Sequence, residues 1–255
     1  MKRTVLTQAQ RDVLELIIAN VGIIVTFDQI VPFLPTGTPE QQRQFVHKLV
    51  QAGWLVRIKK GLYQVADLSS LGTLTLSPYT IAQLLVPESY VSFESALQYH
   101  GLYDQLLNGT VSVSLKQYKT VELQGFAYQY VKTVQKFFYG WAKHAIDGRE
   151  VKIATPEKAL VDMIQYHRTD YTVDVVAEKL KEYTDTLDIE MLKAFLRRAN
   201  ITTQRIFGFF LDTFSIDSME LRESARQSTA VSRLTPDSTT YNAKWRLYYE
   251  PTLIE

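Results

Sequence analysis

Hydrophobic side chains recur at helical spacing behind three segments that open alike: Thr7-x-x-Gln10, Thr26-x-x-Gln29 and Thr38-x-x-Gln41. Each has the form of a capping box, in which a hydroxyl and an amide side chain satisfy two orphan backbone donors at a helix start. Behind Thr7, residues Leu14, Ile17 and Ile18 make a stripe that should end near Asn20 and Gly22. Behind Thr26, Val25 and Ile30 hold the two positions of a hydrophobic staple, and Pro35 limits the helix to a short one. Behind Thr38, Pro39 suits a first helical position, Phe45, Val46 and Leu49 share a face, and Gly53 is a stop. The period then changes to two over residues 54–65, with Val56 and Ile58 on one side, Leu55, Arg57 and Lys59 on the other, and a turn at Lys60-Gly61. That alternation predicts a β-hairpin.

Three helices followed by a hairpin with a basic tip is the order of a winged helix-turn-helix, expected over residues 1–70. Residues 67–73 are small and polar and read as a linker to a second unit, 74–255. In that unit a helix is expected over 79–85, stopped by Pro87, and another over 92–101, with Ser92 as its hydroxyl cap and Gly101 as its end. Strict alternation predicts strands over 110–115 and 126–131, the aromatic run 136–141 suits a sheet, and 146–153 adds a strand with a turn at Asp147-Gly148. Thr155-Pro156-Glu157 opens a helix with Leu160, Met163, Ile164 and His167 on one face. Helices follow over 173–183, 189–199 and 202–214, then an exposed loop over 222–240 rich in Ser, Thr and Arg, and a closing strand over 245–249. The fold class is α+β: an N-terminal winged helix-turn-helix followed by a larger α/β domain with a mixed, mainly antiparallel sheet.

Composition adds limits. A chain of 255 residues, 46% hydrophobic and 22% charged, can bury two ordinary cores. No apolar run approaches the ~20 residues that span a bilayer, and Met-Lys-Arg is followed by no hydrophobic stretch of the secretory kind. A cytoplasmic protein without a membrane partner is expected. The net charge of +1 conceals an asymmetry, because residues 1–70 hold eight basic and five acidic side chains. A positive surplus in a small unit is compatible with a polyanionic partner.

On the third helix Gln41, Arg43, Gln44, His47 and Lys48 lie off the apolar face, where they could donate to phosphates or read base edges in a major groove. Arg57, Lys59 and Lys60 on the hairpin would be the matching phosphate contacts. The same residues would serve equally as a solvated helix face and as lysines that keep an edge strand from aggregating. A second basic set, Arg197, Arg198, Arg205, Arg222 and Arg226 with Lys193 and Arg233, reads either as solvated helix ends and loop or as a docking surface for an acidic protein or nucleic acid.

Chemistry is sparse. There is no cysteine, and of the four histidines, His47, His100, His144 and His167, none stands at a metal-ligand spacing. Glu94, Ser95 and His100 tempt a triad reading, but Ser95 and His100 are five apart on one helix and over ~100° apart in facing. No glycine-rich phosphate loop is present, and the eleven glycines read as turns and helix ends. The expectation is a binding protein with no catalytic residues, no metal and no cofactor.

The stretch Ser92-Phe-Glu-Ser-Ala-Leu-Gln-Tyr-His-Gly-Leu102, followed by Ala154-Thr-Pro-Glu-Lys-Ala-Leu-Val-Asp-Met-Ile164, resembles the AbiEi-type antitoxin family. The resemblance implies a transcriptional repressor and antitoxin of a bacterial type IV toxin–antitoxin system. Its N-terminal domain would bind inverted repeats in double-stranded DNA of its own promoter, with Arg43, Gln44, His47 and Lys48 toward the major groove and Arg57, Lys59 and Lys60 in the wing. The C-terminal antitoxin-type domain would counter a cognate nucleotidyltransferase-like toxin without a stable complex. Repeated operators would call for paired or dimeric binding. The alternatives are an orphan winged-helix regulator, a protein-interaction scaffold without a toxin partner, or a nucleic-acid-targeted enzyme.

Overall fold

All three capping boxes form: Thr7, Thr26 and Thr38 each accept the backbone N–H of the glutamine three residues on, whose side chain accepts the cap residue's own N–H. They start α1 (Gln8–Asn20), α2 (Phe27–Ile30) and α3 (Pro39–Gln51). The computed structural model describes residues 6–66 and 70–251. The first part of the expected linker, 67–69, and the N-terminal residues on which the secretion argument rests lie outside them. A 3-10 turn, Val31–Phe33, carries α2 up to the proline that ends it. The hairpin strands are β2 (Leu55–Lys59) and β3 (Leu62–Val65), joined by a strand that alternation did not reveal, β1 (Ile24–Thr26). Three residues are too few to show a period. The strand order is β1-β3-β2, antiparallel throughout.

Beneath these elements Val13, Leu14, Ile17, Val25, Ile30, Val46, Leu49 and Leu55 form a core of their own. Ile18 is 46% exposed, so the α1 stripe runs through Val13 instead. Ile24 and Ile58, however, pack into the core of the larger unit. Buried Gln64 donates to Thr75 Oγ1 at 2.6 Å and accepts from Thr75 N at 3.2 Å. The small sheet is therefore covered on two sides, and the second side belongs to the rest of the chain.

The larger unit contains α4 (Pro78–Leu85), β4 (Ser89–Val91), α5 (Phe93–Tyr99), β5 (Gly109–Ser114), β6 (Val121–Leu123), β7 (Phe126–Lys132), β8 (Trp141–Ile146) and β9 (Arg149–Ala154). They are followed by α6 (Pro156–Tyr166), α7 (Asp170–Glu182), α8 (Ile189–Arg198), α9 (Ile201–Thr213) and α10 (Met219–Ala225). The six strands lie in the order β6-β7-β5-β4-β9-β8, with β5–β7 and β4–β9 parallel and the other pairs antiparallel. This is the mixed, mainly antiparallel sheet that was expected. The aromatic run 136–141 departs from expectation: Gln135–Phe137 is a 3-10 turn, and pairing resumes at Trp141. Asp147-Gly148 makes the tight turn of a full β8–β9 hairpin.

Helix α6 occupies the middle. Every residue from Glu157 to Ile164 is buried, so the helix is surrounded and not laid on a surface by one face. The two stretches quoted for the family resemblance meet here. Asp162 accepts hydrogen bonds from Ser92 Oγ at 2.7 Å and Tyr90 Oη at 3.0 Å, and His100 Nε2 lies 2.9 Å from Ala154 O. Lys158 forms an ion pair with Asp162 at 1% and 0% side-chain exposure, its ammonium 4.8 Å from the Tyr139 ring centroid. Gly140, at φ +76°, lies against the Lys158 stem, where a Cβ would come within 2.8 Å of Cγ. Burial raises the carboxyl of Asp162 above the usual range, while Lys158, Ser92 and Tyr90 work to lower it. The expected capping role of Ser92 is corrected: it sits at the N-cap position of α5, but its hydroxyl makes no cap bond. A carboxylate buried away from water is the more demanding acceptor.

The C-terminal elements β10 (Ser232–Arg233), β11 (Thr240–Asn242) and β12 (Leu247–Tyr249) form a small sheet ordered β10-β12-β11. The expected loop over 222–240 is thus partly regular, since its beginning is α10 and its middle is an edge strand. Trp245, 1% exposed, anchors this sheet on α9. Its Nε1 donates to Asp212 Oδ2 at 2.7 Å, and the same oxygen meets Lys244 Nζ at 2.5 Å. Burial alone would raise the Asp212 carboxyl, but the donors Lys244, Ser218 and Trp245 outweigh it and hold the pKa below the usual range. A carboxyl with a depressed folded-state pKa stabilises above its unfolded value, about 4, and loses that contribution as pH falls through the folded one. Asp212→Asn should therefore cost most stability near neutral pH, with the difference closing as pH falls below the ordinary carboxylate value of about 4. Urea titrations of both proteins across that range test this, and a pH-independent difference would reject it.

Candidate nucleic-acid interface

Helix α3 and the β2–β3 hairpin face each other across an open groove of about 570 Å³. Arg43, Gln44 and His47 enter from the helix and Arg57 and Lys60 from the hairpin, with Phe27 and Tyr63 between. The helix keeps Leu49 in the core, while buried Val46 and half-buried Val50 line the groove beside Arg43, Gln44 and His47. The hairpin tip is held near by Phe27 N, which donates to Gly61 O at 2.9 Å. Gly61 has φ +76°, a conformation that lets two strands reverse at a short turn. Arg43 and Glu40 form an ion pair at 3.7 Å with both side chains about two-thirds exposed, so it restrains Arg43 little.

Five of the eight residues expected to meet DNA thus border one groove, and three do not. Gln41 is occupied as the second half of its own capping box, its Oε1 accepting from Thr38 N at 2.9 Å. Lys48 is exposed in the last turn of α3, outside the residues lining the groove. Lys59 is the clearest departure. The ladder shifts register between Arg57 and Lys59, so the two cations no longer alternate onto one side. Lys59 Nζ instead donates to Leu84 O at 2.6 Å and Leu85 O at 3.2 Å, closing the C-terminus of α4. A cation there satisfies orphan carbonyls and the negative end of the helix dipole. Phe27 and Tyr63 were not anticipated as lining residues, because only the pairing of β1 with β3 brings them to the groove.

The second basic set is dispersed. Arg205 is corrected from a surface residue to a core one: at 1% exposure its guanidinium donates to Ala230 O, Ala225 O, Ser228 O and Ser232 Oγ, tying α9 to the chain before β10. Helical periodicity could not show that a later segment would cover it. Arg198 lies over the Tyr139 ring at 3.6 Å, and Arg197 bridges α8 to α10 through Glu220 at 2.6 Å. Arg222 is half-buried beside Asp217 and Lys244, while Arg226 is exposed. The triad reading also dissolves, since Ser95 Oγ accepts from Val111 N at 3.2 Å and His100 is turned to Ala154. Among the described residues no cluster of three or more His, Cys, Asp or Glu could hold a metal ion, and no helix is long and apolar enough to cross a membrane.

No family model matches the sequence, and no curated protein matches it. Among solved structures, the chain is similar in fold to the RV2827C protein from Mycobacterium tuberculosis, with a TM-score of 0.67 over 96% of this chain and 92% of that one, at 13% identity. The likeness spans both units, and at that identity what it shows is a shared mixed α+β fold.

Proposed function

We propose that the chain is a DNA-binding transcriptional regulator that uses a winged helix-turn-helix over residues 1–70. The observation that carries the reading is the convergence of Arg43, Gln44, His47, Arg57 and Lys60 on one groove between a helix and a hairpin. The order α1-β1-α2-α3-β2-β3 with strands arranged β1-β3-β2 supports it, being the order in which a winged helix presents a recognition helix and a wing. In this reading Arg43, Gln44 and His47 approach base edges and Arg57 and Lys60 meet phosphates. Autorepression and an antitoxin role against a nucleotidyltransferase-like toxin are proposed on the resemblance of 92–102 and 154–164. Most residues of those stretches are buried, so a toxin would meet mainly other parts of the larger unit.

The test is anisotropy of a labelled duplex from the upstream region and of an unrelated duplex at two salt concentrations. Arg57→Ala with Lys60→Ala should weaken both duplexes alike and flatten the salt slope by about two counterions, at roughly 0.9 per phosphate contact. Arg43→Ala should cost about 1–3 kcal/mol on the upstream duplex alone. Lys59→Met should leave the salt slope where it is, because that ammonium already serves α4. An unaltered slope in the Arg57/Lys60 variant would reject the wing assignment; equal, weak binding of both duplexes by the parent would reject sequence-selective regulation.

A further inference from the structure

We infer that the outer face of the C-terminal sheet is a second binding site, one that takes a short single-stranded stretch of nucleic acid. Its basis is a row of three side chains, one from each strand. Tyr248 on the central strand β12 is the cross-strand partner of Arg233 on β10 and of Tyr241 on β11. The neighbouring row, Ser232, Leu247 and Asn242, has Ser232 and Leu247 buried. Alternation therefore turns the Arg–Tyr–Tyr row to solvent.

The row is arranged for flat, anionic ligands. The Tyr241 and Tyr248 ring centroids are 5.0 Å apart, and the Arg233 guanidinium carbon lies 4.5 Å from the Tyr248 centroid. Arg233 is held in that pose by its hydrogen bond to Ser238 O, so little side-chain freedom remains to be lost on binding. At the outer end Tyr241 is 47% exposed, which leaves a π-face for a base. Exposed Arg168 joins the edge by donating to Arg233 O at 3.1 Å, adding a second guanidinium. Residues 226–251 carry four basic side chains against Asp237 and Glu250.

Aromatic faces interleaved with arginines on an open sheet are what a single strand requires, since unpaired bases stack and phosphates follow the cations. Strands about 4.8 Å apart make the row roughly 10 Å wide, room for about two stacked bases. A duplex keeps its bases inside and cannot use the phenol rings. The site shares no residue with the α3–hairpin groove and does not depend on it.

The experiment is fluorescence anisotropy of the full chain with labelled 12-nucleotide oligo-U and oligo-dT at low and moderate salt. Both should bind, salt-dependently and within a few-fold of each other, because stacking is indifferent to the 2′-hydroxyl. Tyr241→Ala should weaken both about tenfold, the effect of losing one base stack, and Tyr241→Phe should restore binding because the ring and not the hydroxyl is used. Arg57→Ala with Lys60→Ala should leave oligo-U binding unchanged while weakening the duplex, which separates this site from the groove. Absence of oligonucleotide binding at low salt, parent-like binding by Tyr241→Ala, or equal loss in the Arg57/Lys60 variant would each overturn the proposal.

Discussion

Lys158→Met is expected to lower the stability of the chain by about 3–5 kcal/mol, the cost of leaving one partner of a buried ion pair without the other. The pair has no access to solvent, with side-chain exposures of 1% and 0%. Without the ammonium, Asp162 keeps only the hydroxyls of Ser92 and Tyr90, which cannot offset a full charge in the core. The carboxyl would then be held neutral. Its folded-state pKa, already raised by burial in the parent, would climb further, and stability would be lost as pH rises through it. The deficit should accordingly be larger at pH 8 than at pH 5. Lys158→Met with Asp162→Leu should recover only part of the loss, since an apolar pair removes both desolvation costs but leaves the buried hydroxyls of Ser92 and Tyr90 without their acceptor. Urea denaturation of the parent, the single and the double variants is the measurement. A single variant within about 1 kcal/mol of the parent would mean that the pair contributes little to the core.

Gly208→Ala should cost about 2–3 kcal/mol, an overpacking effect, and lower Tm by roughly 5–10 °C. The expectation runs against helix propensity. Gly208 lies inside α9, where alanine is intrinsically better by about 1 kcal/mol. Its added methyl, however, would overlap Cη2 and Cζ3 of Trp245 and come within 2.6 Å of Cζ2. The indole cannot retreat easily, being buried and hydrogen-bonded to Asp212. The sign of the change thus decides between packing and propensity. If crowding is the cause, Gly208→Ala should cost much less in a Trp245→Leu background, where the ring is gone. Equal costs in the two backgrounds would point elsewhere.

Gly208 also shows how far the residue pattern reaches. The helix over 202–214 was legible from its apolar spacing, yet glycines were expected at turns and helix ends, and this one sits in mid-helix against a tryptophan 37 residues later. Arg205, three residues before it, read as surface for the same reason. Its acceptors all come from residues 225–232, which a helical wheel does not contain. In the candidate interface Arg43, Gln44, His47, Arg57 and Lys60 were legible as a set, because the core face of α3 and the hairpin period dictate where they point. Lys59 was not, because a single register shift in the ladder redirected it to the carbonyl end of α4.

What the residue pattern by itself determined is local: three capping boxes, the Lys60-Gly61 and Asp147-Gly148 turns, the periods of the helices and strands, and the mixed α+β class. These depend on interactions within a few residues, where backbone donors and side-chain oxygens are neighbours in the chain whatever else happens. The tertiary structure alone decided the order of the six-stranded sheet, the enclosure of α6, and the meeting of Ser92 and Tyr90 with the Lys158–Asp162 pair some seventy residues away. It also decided that the small sheet is covered by both units and that Arg233, Tyr248 and Tyr241 stand in one row. The reason is physical: which buried charge finds which donor depends on the summed packing of distant segments, and single-sequence periodicity carries no record of that sum.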